Sequence, residues 1–326
     1  MRHRARRFLS TVRAPVAAAM LAGMLAACGD DAPTLAPTEP GKIITVVQRT
    51  GMDSIRTMLV GPDGTIYIGG RRGALAYPRK GEERSIYRTV NELNGVDGIA
   101  LGEGLIYLSE GDDFTIRGIT RSGGVLNVAG NGDSAIPPDG APAAHSPLAC
   151  PSALHYDSKT SELLLREGTQ FRRIGKDGLI HTAGILGKTA DELCKITALG
   201  LSVADNGDYL FARPTFVVRC CDDIVFYPPE GPEASPRAFE QIMAMTYDER
   251  ANAIYVADKT RIKRIAADGT VSVVAGNGSE KFSGDGRPPL ETGLGDVRAL
   301  AVDAKGNLYF VSAFPPGIRV IGAPIR

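Results

Sequence analysis

From residue 42 onward the chain alternates short apolar runs with clusters of Gly, Pro, Asp and Asn, and the runs carry the two-residue period of strands. The clearest run of each group reads Thr65-Ile66-Tyr67-Ile68, Leu105-Ile106-Tyr107-Leu108, Glu162-Leu163-Leu164-Leu165, Asp208-Tyr209-Leu210-Phe211, Ala253-Ile254-Tyr255-Val256 and Asn307-Leu308-Tyr309-Phe310. Turn formers such as Pro62-Asp63-Gly64, Asp205-Asn206-Gly207 and Lys305-Gly306-Asn307 stand before several of them, as hairpin chemistry asks. No window carries a 3.6-residue pattern strong enough to predict a helix. An inner strand precedes each clear run, as at 55–60 and 297–302. A third strand follows at 74–77, 115–119, 170–174, 223–227, 261–265 and 318–321. A fourth, outer strand comes after a glycine turn at 85–89, 125–129, 179–183 and 270–275.

Four strands in each of six units predict an all-β chain, a six-bladed β-propeller spanning 42–326. In the fourth unit the outer strand would fall in the proline-rich run 228–236, and the pattern does not place it. The sixth unit lacks an outer strand, whereas 43–47 (Ile-Ile-Thr-Val-Val) is a strand without a unit. The N-terminal strand is therefore expected to complete the last blade and leave no long edge open.

One stretch is written twice. Residues 116–154 and 262–300 match at fifteen of 39 positions without a gap, among them Val128-Ala129-Gly130-Asn131-Gly132 and Asp139-Gly140 against Val274-Ala275-Gly276-Asn277-Gly278 and Asp285-Gly286. Such self-similarity marks a repeat architecture. This VAGNG…GDG…P…L pattern leads into a strand ending Val302-Asp303, with Gly306-Asn307-Leu308-Tyr309 beyond it, and so resembles the NHL-repeat propellers. The match is good in the sixth unit, fair in the third and degenerate elsewhere. The resemblance implies a fold that serves as a ligand-binding or protein-interaction module, with lyases and lactonases among related rings. Function must then be read from the site.

The first 28 residues have a different character. Arg2, Arg4, Arg6, Arg7 and Arg13 precede an apolar run at 14–27 that is too short and alanine-rich to span a bilayer. It ends Leu25-Ala26-Ala27-Cys28, which resembles a bacterial lipobox, in which the cysteine is acylated and becomes the new N-terminus. Residues 1–27 are thus expected to be a lipoprotein signal peptide. Residues 28–41, rich in Pro, Thr and Ala, are expected to be a tether that cannot bury a core. Loss of residues 1–27 removes five arginines and no acid, leaving 32 basic against 37 acidic side chains. That balance argues against a nucleic-acid partner, and the lipobox resemblance implies a place in the cell envelope, lipid-anchored and facing the periplasm or exterior.

Candidate chemistry is sparse. His145, His155 and His181 fall on the loop, inner strand and outer strand of the third unit, so at most two converge and no metal site is expected. Asp139 and Asp285, with Asn131 and Asn277, offer oxygen ligands for calcium, although a motif written twice fits better with side chains that cap local turns. No Gly-x-Ser-x-Gly elbow or phosphate loop occurs. Cys150, Cys194, Cys220 and Cys221 remain after lipidation of Cys28. If 214–223 is a loop between the second and third strands, all four gather on one face as two disulfides, with Cys150 and Cys194 each joined to one of the adjacent pair. Arg56 and Arg298 occupy equivalent places on the inner strands of neighbouring blades one and six, and Asp97 lies near that place in blade two. Together they suggest a channel mouth that binds a small anion or an acidic partner segment. The alternative is that each arginine pairs with a local acid such as Asp53 or Asp296. The expected function is a non-catalytic binding or interaction module without a cofactor. The alternative is a lactonase- or lyase-type enzyme working at the channel mouth.

Overall fold

The computed structural model describes residues 39–323 apart from 53, 81–82, 89–93, 169, 186–199, 204–208, 214–215, 221–224, 228–238 and 314–315. The leader, Cys28 and most of the tether lie outside the described residues, as do Asp53, Cys194, Cys221 and the run 228–236. Five blades follow one another in the chain, and the sixth joins its two ends. The N-terminal strand is β1 (Ile43–Val47). Blade one holds β2 (Ile55–Val60), β3 (Ile66–Gly70), β4 (Gly73–Tyr77) and β5 (Arg84–Arg88). Blade two holds β6 (Gly98–Gly102), β7 (Leu105–Glu110), β8 (Thr115–Thr120) and β9 (Val125–Ala129).

Blade three is introduced by a short extra strand, β10 (Ala141–Pro142), and continues with β11 (Pro151–Asp157), β12 (Glu162–Glu167), β13 (Gln170–Ile174) and β14 (Leu179–Ile185). Blade four holds β15 (Leu201–Val203), β16 (Tyr209–Arg213), β17 (Phe216–Cys220) and β18 (Val225–Tyr227). Blade five holds β19 (Ile242–Asp248), β20 (Ala253–Asp258), β21 (Arg261–Ile265) and β22 (Val271–Ala275). Blade six holds β23 (Val297–Val302), β24 (Leu308–Ser312) and β25 (Gly317–Ile321). Its outer strand is β1, antiparallel to β25 with Ile43 opposite Ile321, so the expected closure is what forms.

The described core is not one nucleus but six clusters, one at each interface between neighbouring blades. This explains why second strands such as β3, β20 and β24 are buried along their whole length. Each is flanked by a blade on both sides, as in other doubly covered sheets, so both sets of alternating side chains are apolar or small. Tyr107 of blade two stacks on Tyr156 of blade three at 5.8 Å, and Phe171 meets Phe211 across blades three and four at 5.1 Å.

The register corrects three expectations. In blade four the third strand is β17, not 223–227; Val225–Tyr227 is the outer strand and pairs with β17. The proline-rich run is therefore not needed to complete the blade. Phe216-Val217-Val218-Arg219-Cys220 has strand character of its own, which a proline at 214 masked in the sequence. The second correction follows from the first. Loops entering each inner strand and turns joining second to third strands open on one face of the ring, here the mouth face. Turns joining first to second and third to fourth strands open on the other, the turn face. Cys150 heads β11 on the mouth face. Cys220 ends β17 opposite Tyr209, the first residue of β16, and so lies on the turn face. Cys150 and Cys220, expected on one face, thus stand at opposite faces of the ring by their backbone positions, while Cys194 and Cys221 lie outside the described residues. Third, blade three has five strands, because β10 adds to the outside of β14.

Candidate functional site: the central channel

Six inner strands surround a channel of about 1420 Å³. Their residues pack against neighbouring blades and leave a lining with an apolar middle, including Leu154, Leu201, Ala244, Leu300 and Val311, and charged groups at both ends. All four methionines beyond the leader, Met52, Met58, Met243 and Met245, contribute to it. Thioethers on unbranched chains adapt to ligands of varied shape.

Four of the inner strands carry a β-bulge at the same point, where one residue has no partner on the second strand. The bulged residues are Arg56, Ala153, Met243 and Arg298. A bulge bends the strand and re-aims the extra side chain, and such features collect at barrel rims and sites. The equivalence of Arg56 and Arg298 inferred from sequence is thus a structural one: both are bulge residues, on adjoining strands, and both line the channel with Asp97.

Each arginine is paired. Arg56 Nη1 donates to Asp97 Oδ1 at 2.8 Å and lies 4.0 Å from Asp112 Oδ2. Arg298 donates to Asp296. Asp97 Oδ2 also accepts from the Gly111 N–H at 3.1 Å. Burial holds the Asp97 carboxyl above the usual carboxylate range, against the lowering pull of Arg56 and the Gly111 N–H. The mouth therefore presents two arginine–carboxylate pairs side by side: Arg298 takes a local acid, Asp296, whereas Arg56 takes Asp97 of the next blade. At the other end Asp248 accepts from the Arg250 and Ala251 N–H groups. Asp303 there is held by the N–H groups of Lys305 and Asn307 and by Asn307 Nδ2.

The remaining sequence candidates are spread out. His155 lies on the channel, where burial holds its imidazole below the usual range against the pull of Asp157. His145 sits in a short 3₁₀ turn, Ala143–His145, and His181 on the outer strand β14. Among the described residues no group of three His, Cys, Asp or Glu side chains is placed to hold a metal ion. Asp139 and Asp285 bind the protein itself. Asp139 Oδ1 accepts from the Thr182 N–H and hydroxyl at 2.9 and 2.7 Å, and Asp285 Oδ1 accepts the same two bonds from Thr45 at the same lengths. Each clasps a long inter-blade loop to the outer strand of the following blade. Asn131 and Asn277 accept from the N–H groups of Asp133 and Ser279 two residues on, as turn formers do. Cys150 is not a free thiol; its sulfur is engaged.

A recurring feature escaped the sequence reading. The last residue of the second strand is acidic in blades two, three and five, and the third residue of the third strand is its cation. The pairs are Glu110–Arg117 at 3.3 Å, Glu167–Arg172 at 3.3 Å and Asp258–Lys263 at 2.7 Å. In blade six Ser312 replaces the acid and accepts from Arg319 Nη1 at 3.1 Å, while the guanidinium lies 3.8 Å over the Phe282 ring. The acids also hold the loop entering their own blade: Ala149 N–H donates to Glu167, and Glu240 and Gln241 N–H groups donate to Asp258. An acid closing the clear run in those three blades, with a base five or seven residues later, was the visible signal.

Neither a scan against protein-family models nor a search of curated proteins returns a match. Solved structures do match. A catalytically inactive variant of virginiamycin B lyase from Staphylococcus aureus with quinupristin is 14% identical, with 87% of each chain covered and a TM-score of 0.55. An auxiliary nutrient binding protein from Bacteroides thetaiotaomicron is 11% identical, covering 86% of this chain and 76% of its own, at a TM-score of 0.64. A gluconolactonase-like protein is 12% identical, covering 89% and 94%, at 0.61. At such identities the likeness is one of fold, a six-bladed β-propeller that hosts both binding and catalysis.

Proposed function

We propose that the chain is an exported, lipid-anchored NHL-type propeller that binds a ligand or partner at its channel mouth without transforming it. The observation that carries this reading is the state of the mouth's ionisable groups: Arg56, Asp97, Arg298 and Asp296 are tied to one another in fixed pairs. Groups so held recognise and orient, since a guanidinium paired on one edge keeps donors for a second acceptor. The ligand that fits is small and acidic, or an acidic segment of a partner protein, sharing Arg56 and Arg298 with their resident carboxylates and laying an apolar body against the methionine-rich lining. The nutrient-binding neighbours are compatible with this use of the fold. Asp97 supports the second reading, an enzyme of the lactonase or lyase type, because a carboxyl raised by burial beside a channel is a candidate general base. In the envelope we further propose that the cysteines form disulfides, with the engaged sulfur of Cys150 in support.

Two measurements test the proposal. Small carboxylates and phosphate should raise the melting temperature of the parent. At a hundred times the dissociation constant the stabilisation is about 2.7 kcal/mol, and Arg298→Gln, which removes an exposed guanidinium, should abolish it with little change in the unliganded protein. A parent indifferent to every such anion would show that the arginines serve only their own carboxylates. For the anchor, Cys28→Ser should release the protein from membranes with the ring still folded, because acyl chains supply the attachment. A variant that resists high-salt extraction would contradict the lipobox.

A further inference from the structure

The fold fixes where the chain leaves the ring, and with an anchor at Cys28 that decides which way the channel points. We infer that the turn face lies toward the bilayer and that the mouth bearing Arg56, Asp97 and Arg298 opens away from it, toward soluble ligands and partners. The inference rests on the anchoring of Cys28 proposed above.

Glu39 to Lys42 lie against Gly322. The Gly41 N–H donates to Gly322 O at 3.3 Å, the Gly322 N–H donates to Lys42 O at 3.4 Å, and Pro40 pairs with Gly322 as an isolated bridge. A Cβ on Gly322 would stand 2.3 Å from Glu39 O, so the two segments touch backbone to backbone. Ala323, next in the chain, donates its N–H to Asn307 Oδ1 at 3.0 Å. A Cβ on Gly306 would lie 3.7 Å from the Ala323 Cβ and 2.6 Å from Arg250 Nη1. Gly306 and Asn307 form the first-to-second-strand turn of blade six, and Arg250 belongs to that of blade five. The chain therefore reaches the ring on the turn face, beside the channel end marked by Asp303.

Eleven Cα-to-Cα steps separate Cys28 from Glu39. Fully extended they reach at most about 40 Å, and a flexible coil of that length averages about 18 Å end to end. The six-residue inner strands are themselves about 20 Å long. An average tether is thus no longer than the ring is thick, so bringing the mouth face to the lipid would require it to pass around the rim stretched beyond its average length.

The test uses the full chain, expressed in a bacterium, extracted from the membrane and reconstituted in phosphatidylcholine vesicles with nitroxide on the headgroups. A fluorophore is attached through an azide-bearing side chain at one exposed position at a time: Lys159 or Lys305 on the turn face, Asp112 or Glu240 on the mouth face. Quenching should be several-fold stronger at Lys159 and Lys305. Equal quenching at all four, or stronger quenching at Asp112 and Glu240, overturns the orientation. Mass spectrometry of the N-terminal peptide separates the two readings. An acylated Cys28 with the wrong quenching pattern sinks the orientation and spares the anchor. An unacylated chain that fails to enter vesicles removes both.

Discussion

Removal of residues 42–48 is expected to collapse the ring. The deletion takes away β1, the strand partner of β25, and the fully buried Ile43, which packs among residues of blades five and six. Burial of one such side chain contributes about 1.5–3 kcal/mol. The deletion also removes the backbone bonds of Ile43 to Arg287 O and from the Gly286 N–H, and both bonds from Thr45 to Asp285. The total exceeds about 4–5 kcal/mol, a large part of the stability of an ordinary domain, and β25 becomes an open edge prone to pairing between molecules. Thermal unfolding should lose its cooperative transition or shift far down, with aggregation. Asp285→Ala, which unfastens only the clasp, should give a partial shift in the same direction. A truncated protein that melts like the parent would rule out this closure.

The second large effect is expected from Arg172→Met. Arg172 is 1% exposed and Glu167 is fully buried; the guanidinium also donates to Pro137 O twice at 3.1 Å and to Asp139 at 3.3 Å. Removing one member of a buried pair costs about 3–5 kcal/mol because the other charge stays behind. Burial pushes the Glu167 carboxyl up to about 7, against the Ala149 N–H and Arg172, which both hold it down. A carboxyl raised above its unfolded value contributes stability that is complete at low pH and is lost as pH rises through the folded value. Without Arg172 the folded value climbs further, so the damage should grow with pH between about 5 and 8. Chemical denaturation at several pH values reads this directly. A cost that is the same at both ends of the range would mean that Glu167 is not the group left exposed to the loss. Glu167→Gln in the same background should flatten the slope.

The architecture was legible because each second strand must be apolar on both sides, so six such runs punctuated by turn residues could hardly belong to another all-β fold. Ring closure was legible for a related reason: a unit without an outer strand and a strand without a unit account for each other. Blade four was misread where chain-local signals conflict. Pro214 and the polar Arg219-Cys220-Cys221-Asp222 segment look like an insertion, yet the valines between them are claimed by interfaces with blades three and five. The error moved Cys220 to the wrong face. At the site, the equivalence of Arg56 and Arg298 could be read because bulges recur in register. Asp296, two residues from Arg298, could be read as its partner, but the partner of Arg56 could not: Asp97 comes from the next blade, 41 positions away, and only the ring brings it to Arg56. Asp139 and Asp285 show the same limit, since whether a loop carboxylate serves an ion or a threonine of another strand depends on the fold.

The pairing of β1 with β25 has a kinetic consequence. Ile43 is among the earliest described residues to be synthesised and Ile321 among the latest, so their contact spans nearly the whole ring in sequence. Pairings this non-local are slow because loop closure must precede any reward. Blades one to five can each assemble from neighbouring sequence as it appears, but blade six stays three strands at best until the ends meet. The rate-limiting event in folding is expected to be this final docking, and the species that accumulates before it is an open arc with β25 bare. An exported chain would meet that interval outside the cytoplasm, where a protease or a second arc competes with β1 for the same edge.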